Sequence, residues 1–238
     1  MKKTLLSIFI LIGINASSQN KNYFSTSGEM IFSFATLKKN GNEISSNMRW
    51  SPFFNYQIIR NTDFNNHFGV FRGFAIRNVG FIYDIPGTDS LKKHRTYNIG
   101  IPLGVKFGNL NGIFLWGGYE FEIPFVYKEK TFVGEKKTDN FEVWFSNRHN
   151  WYTQSVFFGV NFPKGFNLKF KYYLNNFFNK NYTETINGAQ VKPFANFDAQ
   201  VLYIAIDYNV FKDVRENARK RKKSPPLNET KYTYQTSK

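Results

Sequence analysis

Arg95-Thr96-Tyr97-Asn98-Ile99-Gly100-Ile101-Pro102-Leu103-Gly104-Val105-Lys106-Phe107 decides the fold. Tyr97, Ile99, Ile101, Leu103, Val105 and Phe107 alternate with Thr96, Asn98, Gly100, Pro102, Gly104 and Lys106. Successive side chains of a strand point to opposite faces, so one face is apolar and the other small or polar. The same period recurs on both sides. Gly112–Val126 places Ile113, Leu115, Tyr119, Phe121, Ile123 and Phe125 together, with Glu120 and Glu122 opposite. Phe166–Leu174 alternates Phe166, Leu168, Phe170, Tyr172 and Leu174 with Asn167, Lys169, Lys171 and Tyr173. Gly28–Leu37, Met48–Ile59, His67–Asp84, Trp151–Phe162 and Phe197–Phe211 complete a set of eight. His67–Asp84 is mixed: Arg72 falls with Phe68, Val70, Phe74 and Ile76, and Arg77 with Phe71, Val79 and Phe81. A bulge near Gly73 would exchange its faces.

Two architectures alternate in this way: a water-soluble sandwich and a membrane barrel. Loop length and charge placement separate them. Pro163-Lys164-Gly165 and Gly108–Asn111 are tight, and Arg60–Asn66 is short. Lys38–Asn47 and Ile85–His94 run to roughly ten residues each, and Tyr127–Asn150 and Asn175–Asn196 are longer. Short turns on one side and long loops on the other mark outer-membrane barrels. Each segment is near the about nine to eleven residues that a tilted strand needs to cross a bilayer. Lys106, Glu120, Glu122, Lys169, Lys171 and Asp207 all lie on the less apolar face. Both signs are present there, which suits an internal ion-pair network, because an isolated buried charge is costly. The expected fold is all-β: a closed antiparallel transmembrane β-barrel of eight strands, or ten if Tyr127–Asn150 holds another hairpin. Thr131–Thr138 and Phe141–Phe145 would extend the two flanking strands above the membrane as a hairpin tip.

Composition agrees. The 238 residues include 28 Phe and 14 Tyr, yet mean hydropathy is −0.44. Many rings on a polar average fit a two-faced sheet with aromatic girdles. After Ile14 no run of 18 apolar residues occurs, which excludes a helical membrane protein. Lys2 and Lys3, the apolar run Thr4–Ile14 and the small residues before Gln19 read as a signal peptide over 1–18. Residues 19–27 then form a periplasmic lead-in, 28–211 the barrel and 212–238 a basic periplasmic tail. With no Cys, a lipid-anchored lipoprotein, a disulfide framework and a Cys metal site are excluded.

The net charge of +15 is uneven: residues 212–238 supply +6 and Lys2 and Lys3 supply +2. Such basicity can mark nucleic-acid binding; export argues against that partner here. Arg215–Lys222 of the tail reads as a basic helix stopped by Pro225, or as a solubilising segment, with an anionic periplasmic partner as its expected contact.

The runs Arg72-Gly73-Phe74-Ala75-Ile76-Arg77-Asn78-Val79-Gly80-Phe81-Ile82 and Tyr97–Gly108 resemble the outer-membrane β-barrel proteins common in Bacteroidota-type bacteria, called porin-like or "outer membrane protein β-barrel domain". The resemblance spans about residues 24–211 and implies the barrel fold and outer-membrane location, with termini in the periplasm. It carries no catalytic residues, since strand patterns specify fold rather than function. In this chain 27 residues follow the aromatic Phe211, a departure from the usual ending.

Candidate sites follow from this frame. Eight strands leave room for little beyond side chains. The expected lumen is therefore plugged by Lys106, Glu120, Glu122, Lys169, Lys171 and Asp207, with Tyr173 and Tyr203, and not a conducting pore. Lys38, Lys39, Lys92, Lys93, Arg95, Lys128 and Lys130 gather where loops leave the outer leaflet, a height at which lipopolysaccharide phosphates lie. His67, His94 and His149 are the histidines, read as solvated loop residues. Ser146 and Ser155 lie near His149 in sequence, but no His-x-Ser spacing supports a base–nucleophile pair. The expected role is a non-enzymatic anchor whose outer loops meet partners or lipopolysaccharide, with no cofactor or metal. The alternatives are a small porin-like channel or transport accessory, and an outer-membrane lipid-modifying enzyme.

Overall fold

The alternating segments pair into one closed antiparallel ladder. A computed structural model describes residues 21–209. Its strands are β1 (Lys21–Lys39), β2 (Asn42–Ile44), β3 (Ser46–Asn47), β4 (Arg49–Ser51), β5 (Tyr56–Asp63), β6 (Phe68–Asp84), β7 (Ser90–Gly108), β8 (Phe114–Val133), β9 (Lys136–Trp144), β10 (Thr153–Asn161), β11 (Phe166–Tyr173), β12 (Glu184–Ile186), β13 (Ala189–Val191) and β14 (Phe197–Asn209). Eight of them form the ring, in the order β1, β5, β6, β7, β8, β10, β11, β14. Pairing of β14 with β1, from Ser27↔Asn209 to Lys39↔Phe197, closes it. A closed sheet leaves no open edge. Residues 1–18, read as a signal peptide, and the tail 212–238 lie outside the described residues.

Several boundaries shift from the sequence reading. Residues 21–27 are barrel wall rather than a lead-in, because Lys21 already pairs with Asp63 and Ser27 with Gln57. Lys38–Asn47 is not an open loop. Asn40 and Gly41 both have positive φ, which makes a two-residue hairpin turn between β1 and β2. β7 begins at Ser90, and β8 runs to Val133 before folding back as β9. The ladder therefore continues past the apolar band, because main-chain pairing has no reason to stop where the side-chain pattern does. The hairpin expected within Tyr127–Asn150 is β8–β9, and the ring stays at eight strands.

No bulge occurs at Gly73. β6 keeps one register against β7 from Phe68↔Phe107 to Asp84↔Leu91. Arg72 stays exposed and Arg77 fully buried. The mixed inward face has a physical cause: Phe71, Arg77 and Phe81 belong to three stacked layers of the lumen, aromatic, ionic and aromatic.

The expected strand Met48–Ile59 is broken instead. Pro52-Phe53-Phe54-Asn55 leaves the ladder between β4 and β5, Phe54 has φ 62°, and the Phe53 and Phe54 rings project outward. Proline has no N–H to give to a neighbouring strand. Side chains replace the lost bonds. Asn78 N donates to Asn55 Oδ1 at 2.7 Å, and Asn55 Nδ2 donates to Ser51 O at 2.8 Å. Arg49 donates to Asn78 O at 3.2 Å and Asn78 Oδ1 at 2.6 Å, and Ser33 Oγ donates to Gly80 O at 2.7 Å.

Outside, Ile99, Ile101, Leu103, Val105 and Phe107 of β7 are exposed, as are Leu115 and Ile123 of β8 and Val156 and Phe158 of β10. Inside, Asn98, Lys106, Glu120, Glu122, Lys169 and Lys171 are buried. Burial is inverted relative to a soluble sandwich.

Asn55 should therefore matter more than the bulky residues beside it. Asn55→Ala is expected to lower unfolding free energy by about 1–3 kcal/mol, the cost of an orphaned buried donor. Phe53→Leu should change it by less than about 0.5 kcal/mol. Urea unfolding of the refolded chain measures both, and equal effects would refute the repair role.

Candidate functional site in the barrel lumen

The lumen is the part of the molecule where charge concentrates. Three carboxylates, Glu29, Glu120 and Glu122, face three cations, Arg77, Lys169 and Lys171, all fully or almost fully buried. Arg77 on β6 is the bridge. Its Nε contacts Glu120 Oε1 at 3.1 Å, Nη2 reaches Glu120 Oε2 at 3.2 Å and Gln57 Oε1 at 2.9 Å, and Nη1 pairs with Glu29. Lys169 pairs with Glu29. Lys171 contacts Glu120 at 2.6 Å and also pairs with Glu122. Glu122 further accepts from Asn98 Nδ2 at 2.6 Å and from the Tyr173 hydroxyl at 2.8 Å. Gly100, opposite Glu122 in the ladder, leaves the space that the Glu120 carboxylate occupies.

Of the six interior charges named from sequence, Glu120, Glu122, Lys169 and Lys171 meet in this layer. Lys106 lies apart, paired with Asp63 and donating to Tyr23 and Asn61 at 3.0 Å each. Asp207 accepts from Asn167 at 2.7 Å. Sequence reasoning missed Glu29, Arg77 and Asp63 as members. Glu29 was legible as the neighbour of the outward Met30. Arg77 was hidden by aromatic face-mates.

Aromatic layers lie on both sides. Ile59, Phe71, Phe157 and Trp116 pack toward the short turns. Toward the long loops, Phe81, Tyr83, Phe177, Phe178, Phe194 and Phe197 close the lumen. Phe178 stacks on Phe194 with ring centroids 4.3 Å apart. Phe177, Phe178 and Phe194 come from the Asn175–Asn196 connection, so its two ends fold inward as a lid while the β12–β13 tip stands exposed. On the short-turn side a cavity of about 60 Å³ reaches Arg77, Glu120, Lys169 and Asp207. A second, of about 80 Å³, opens among Tyr23, Asn111, Lys164 and Asn209. Together they form a short polar well that ends at the ion layer.

Two of the three histidines are not solvated as expected. His94 and His149 are buried, and His67 is exposed in the β5–β6 turn. The Tyr127 hydroxyl donates to Glu129 Oε2 at 2.9 Å and lies 2.8 Å from His94 Nδ1. That hydroxyl has one proton, so Nδ1–H must be the donor to its oxygen. The acceptor Nε2 of His94 is then buried without a partner. Burial first, then Lys92 and Arg148, push His94 down to about 4, against the pull of Glu129. His94, Lys92 and Tyr127 hold the Glu129 carboxyl below its ordinary value although burial works the other way. No hydrogen bond joins a histidine to Ser146 or Ser155 among the described residues; Ser155 Oγ donates to Glu120 O at 3.2 Å.

The rim cations divide. Lys38 pairs with Glu43 at 3.2 Å, Lys39 lies 5.9 Å from the Phe197 ring centre, and Lys92 pairs with Glu129 at 2.6 Å. Lys93, Arg95, Lys128 and Lys130 share the outward face of β7 and β8. No cluster of three or more potential metal-ligating side chains occurs among the described residues.

The chain is a closed eight-stranded barrel. No protein-family model and no curated protein matches it. Solved structures similar to it include Ail, the attachment invasion locus protein of Yersinia pestis, in complex with the heparin analogue sucrose octasulfate, at 13% identity, 78% of this chain, 98% of that chain and TM-score 0.34. Neisserial surface protein A is similar at 10% identity, 80% and 99% coverage and TM-score 0.34. Outer membrane protein OprG from Pseudomonas aeruginosa is similar at 11% identity, 83% and 99% coverage and TM-score 0.36. The barrel assignment rests on the closed ladder, not on these similarities.

His94 makes stability pH-dependent. Its folded-state value lies below the ordinary 6.5, so the unfolded chain binds the proton more readily. The contribution is complete above pH 6.5 and is lost as pH falls toward about 4. The slope from this one group should approach about 1.4 kcal/mol per pH unit. Urea unfolding across that window should show His94→Gln losing less stability than the native chain on acidification. Parallel curves would rule the assignment out.

Proposed function

We propose that this chain is an outer-membrane barrel with a sealed lumen, an anchor that presents its extended hairpins outside the cell. One observation carries the reading: the exterior is an apolar band while the interior is paired charge. Hydrocarbon tolerates no unpaired backbone group, and a closed barrel satisfies them all. Buried charges persist only when partnered, as Arg77 is by Glu29 and Glu120. Short turns and both ends of the described chain share one side, which is assigned to the periplasm. The β8–β9 hairpin and β12–β13 tip then face outward, and the rim cations lie at the level of lipopolysaccharide phosphates. Kinship with the Bacteroidota-type barrels is part of the same proposal and rests on the strand runs at Arg72–Ile82 and Tyr97–Gly108.

The role is non-enzymatic in this reading. Its support is the partnering of His94, which meets Tyr127 and not a serine. The channel alternative draws on the polar well, but the ion layer and the aromatic lid both stand across it.

Two measurements test the proposal. Refolded protein in planar bilayers is expected to show no steady conductance; steady conductance that changes with Glu120→Gln or Lys171→Met would overturn the sealed lumen. Trypsin added to intact cells is expected to cut at Lys136–Lys137, at the start of β9 beside the β8–β9 turn, and to spare Lys220–Lys223. The opposite pattern would reverse the orientation.

A further inference from the structure

The ladder register places like charges directly opposite one another on one outward face. Lys93 pairs with Lys130 and Arg95 with Lys128, and Lys137 of β9 lies opposite Phe132 one step higher. Like charges facing across a sheet repel, so the arrangement is unfavourable by itself. Partial burial and the cations Arg95, Lys137, Lys128 and Lys93 hold the Lys130 ammonium below its ordinary value. Among the described residues of this face, Lys128 alone has an acid at hand, Glu142 at 2.6 Å. No salt bridge involves Lys93, Arg95, Lys130 or Lys137 among the described residues; Lys93 lies 4.7 Å from the Phe132 ring centre and Arg95 5.8 Å from that of Tyr97. Other rim cations are neutralised: Lys38 by Glu43, Lys92 by Glu129, Arg148 by Glu184 and Lys180 by Asp198. Arg60 and Arg72 also face each other outward, but toward the short turns, and Lys39 meets the Phe197 ring. At the long-loop end, among the described residues, the cations opposed across the ladder without an acid, Lys93 and Lys130, belong to this face.

Its height is as informative as its sign. Along β7 the outward residues run Lys93, Arg95, Tyr97, Ile99, Ile101, Leu103. Two cations stand on an aromatic girdle residue, and that stands on the apolar band. An occupant must carry clustered negative charge directly above hydrocarbon, which describes a phosphorylated lipid headgroup and not a soluble anion.

We propose that the outward face formed by Lys93, Arg95, Lys128, Lys130 and Lys137 is a clamp for the phosphates of an outer-leaflet glycolipid. The clamp rests on the outer-membrane reading above. It narrows the seven-residue rim, dropping Lys38, Lys39 and Lys92 and adding Lys137. Lysine and arginine meet phosphate oxygens through short charge-assisted hydrogen bonds, and the occupant's negative charge removes the cross-strand repulsion.

The test uses the full chain refolded into phosphatidylcholine vesicles that contain either bisphosphorylated lipid A or its dephosphorylated form. Lipid retained by the protein after detergent extraction is quantified. At least tenfold more phosphorylated than dephosphorylated lipid is expected, with the excess shrinking as salt rises. The triple variant Lys93→Gln, Arg95→Gln, Lys130→Gln should lose that excess, and the control Lys38→Gln, Lys39→Gln should keep it. Equal retention of the two lipids by the native chain would overturn the clamp without needing any variant to fold. So would an undiminished excess in a folded triple variant. Failure of the chain to enter vesicles at all, read from protease protection, would overturn the outer-membrane reading and the clamp with it. Insertion without phosphate selectivity would sink the clamp alone.

Discussion

Arg77 sits at the centre of the molecule, between Glu29 of β1 and Glu120 of β8. Its guanidinium cannot give up its charge, so the carboxylates around it must stay ionised and close. The demand spreads outward. Glu29 and Glu120 need Lys169 and Lys171 from β11 for their remaining oxygens. Glu122 completes Lys171 and recruits Asn98 from β7 and Tyr173 from β11. Gln57 of β5 reaches Arg77, and Ser155 of β10 holds the Glu120 carbonyl. Seven of the eight wall strands therefore converge on one layer, and β14 supplies Tyr203 beside it. Removing one member would strand its partner in a dry interior, which costs far more than a surface pair.

The layers above and below follow from the same constraint. Water at the ion layer would weaken every pair in it, because a higher dielectric screens the attraction. The Phe178–Phe194 stack and its neighbours seal the outer end. Phe71, Phe157 and Trp116 narrow the other, where only a short well remains. Glycines at 100 and 104 make this filling fit: one leaves room for the Glu120 carboxylate and the other for the Phe71 ring. The wall has one defect, at Pro52–Asn55, and it is mended by Asn55, Arg49 and Ser33 rather than by the ladder. An inward ion layer and an outward cationic face divide the electrostatics of the barrel: the first is internally neutral, the second is left for an occupant.

The sequence by itself determined the strand class, the number of wall strands and the inward direction of Lys106, Glu120, Glu122, Lys169, Lys171 and Asp207. These depend on a period of two, which any local stretch displays. It also placed the rim cations toward the long-loop end of the wall, because position along a strand is a matter of counting. Tertiary structure alone decided which charges meet. Arg77 and Glu29 are far apart in the chain, and their pairing depends on barrel closure. It decided that the Asn175–Asn196 connection folds inward as a lid, since only the finished lumen offers its phenylalanines a place to be buried. It buried His94 beneath those rings, and it kept β6 in a single register through an apparent face conflict. Finally, it separated Lys92 from Lys93: adjacent in sequence, they point to opposite faces, one toward Glu129 and the other toward Lys130. Local alternation says that two neighbours diverge; only the closed wall says which of them looks inward and what it meets there.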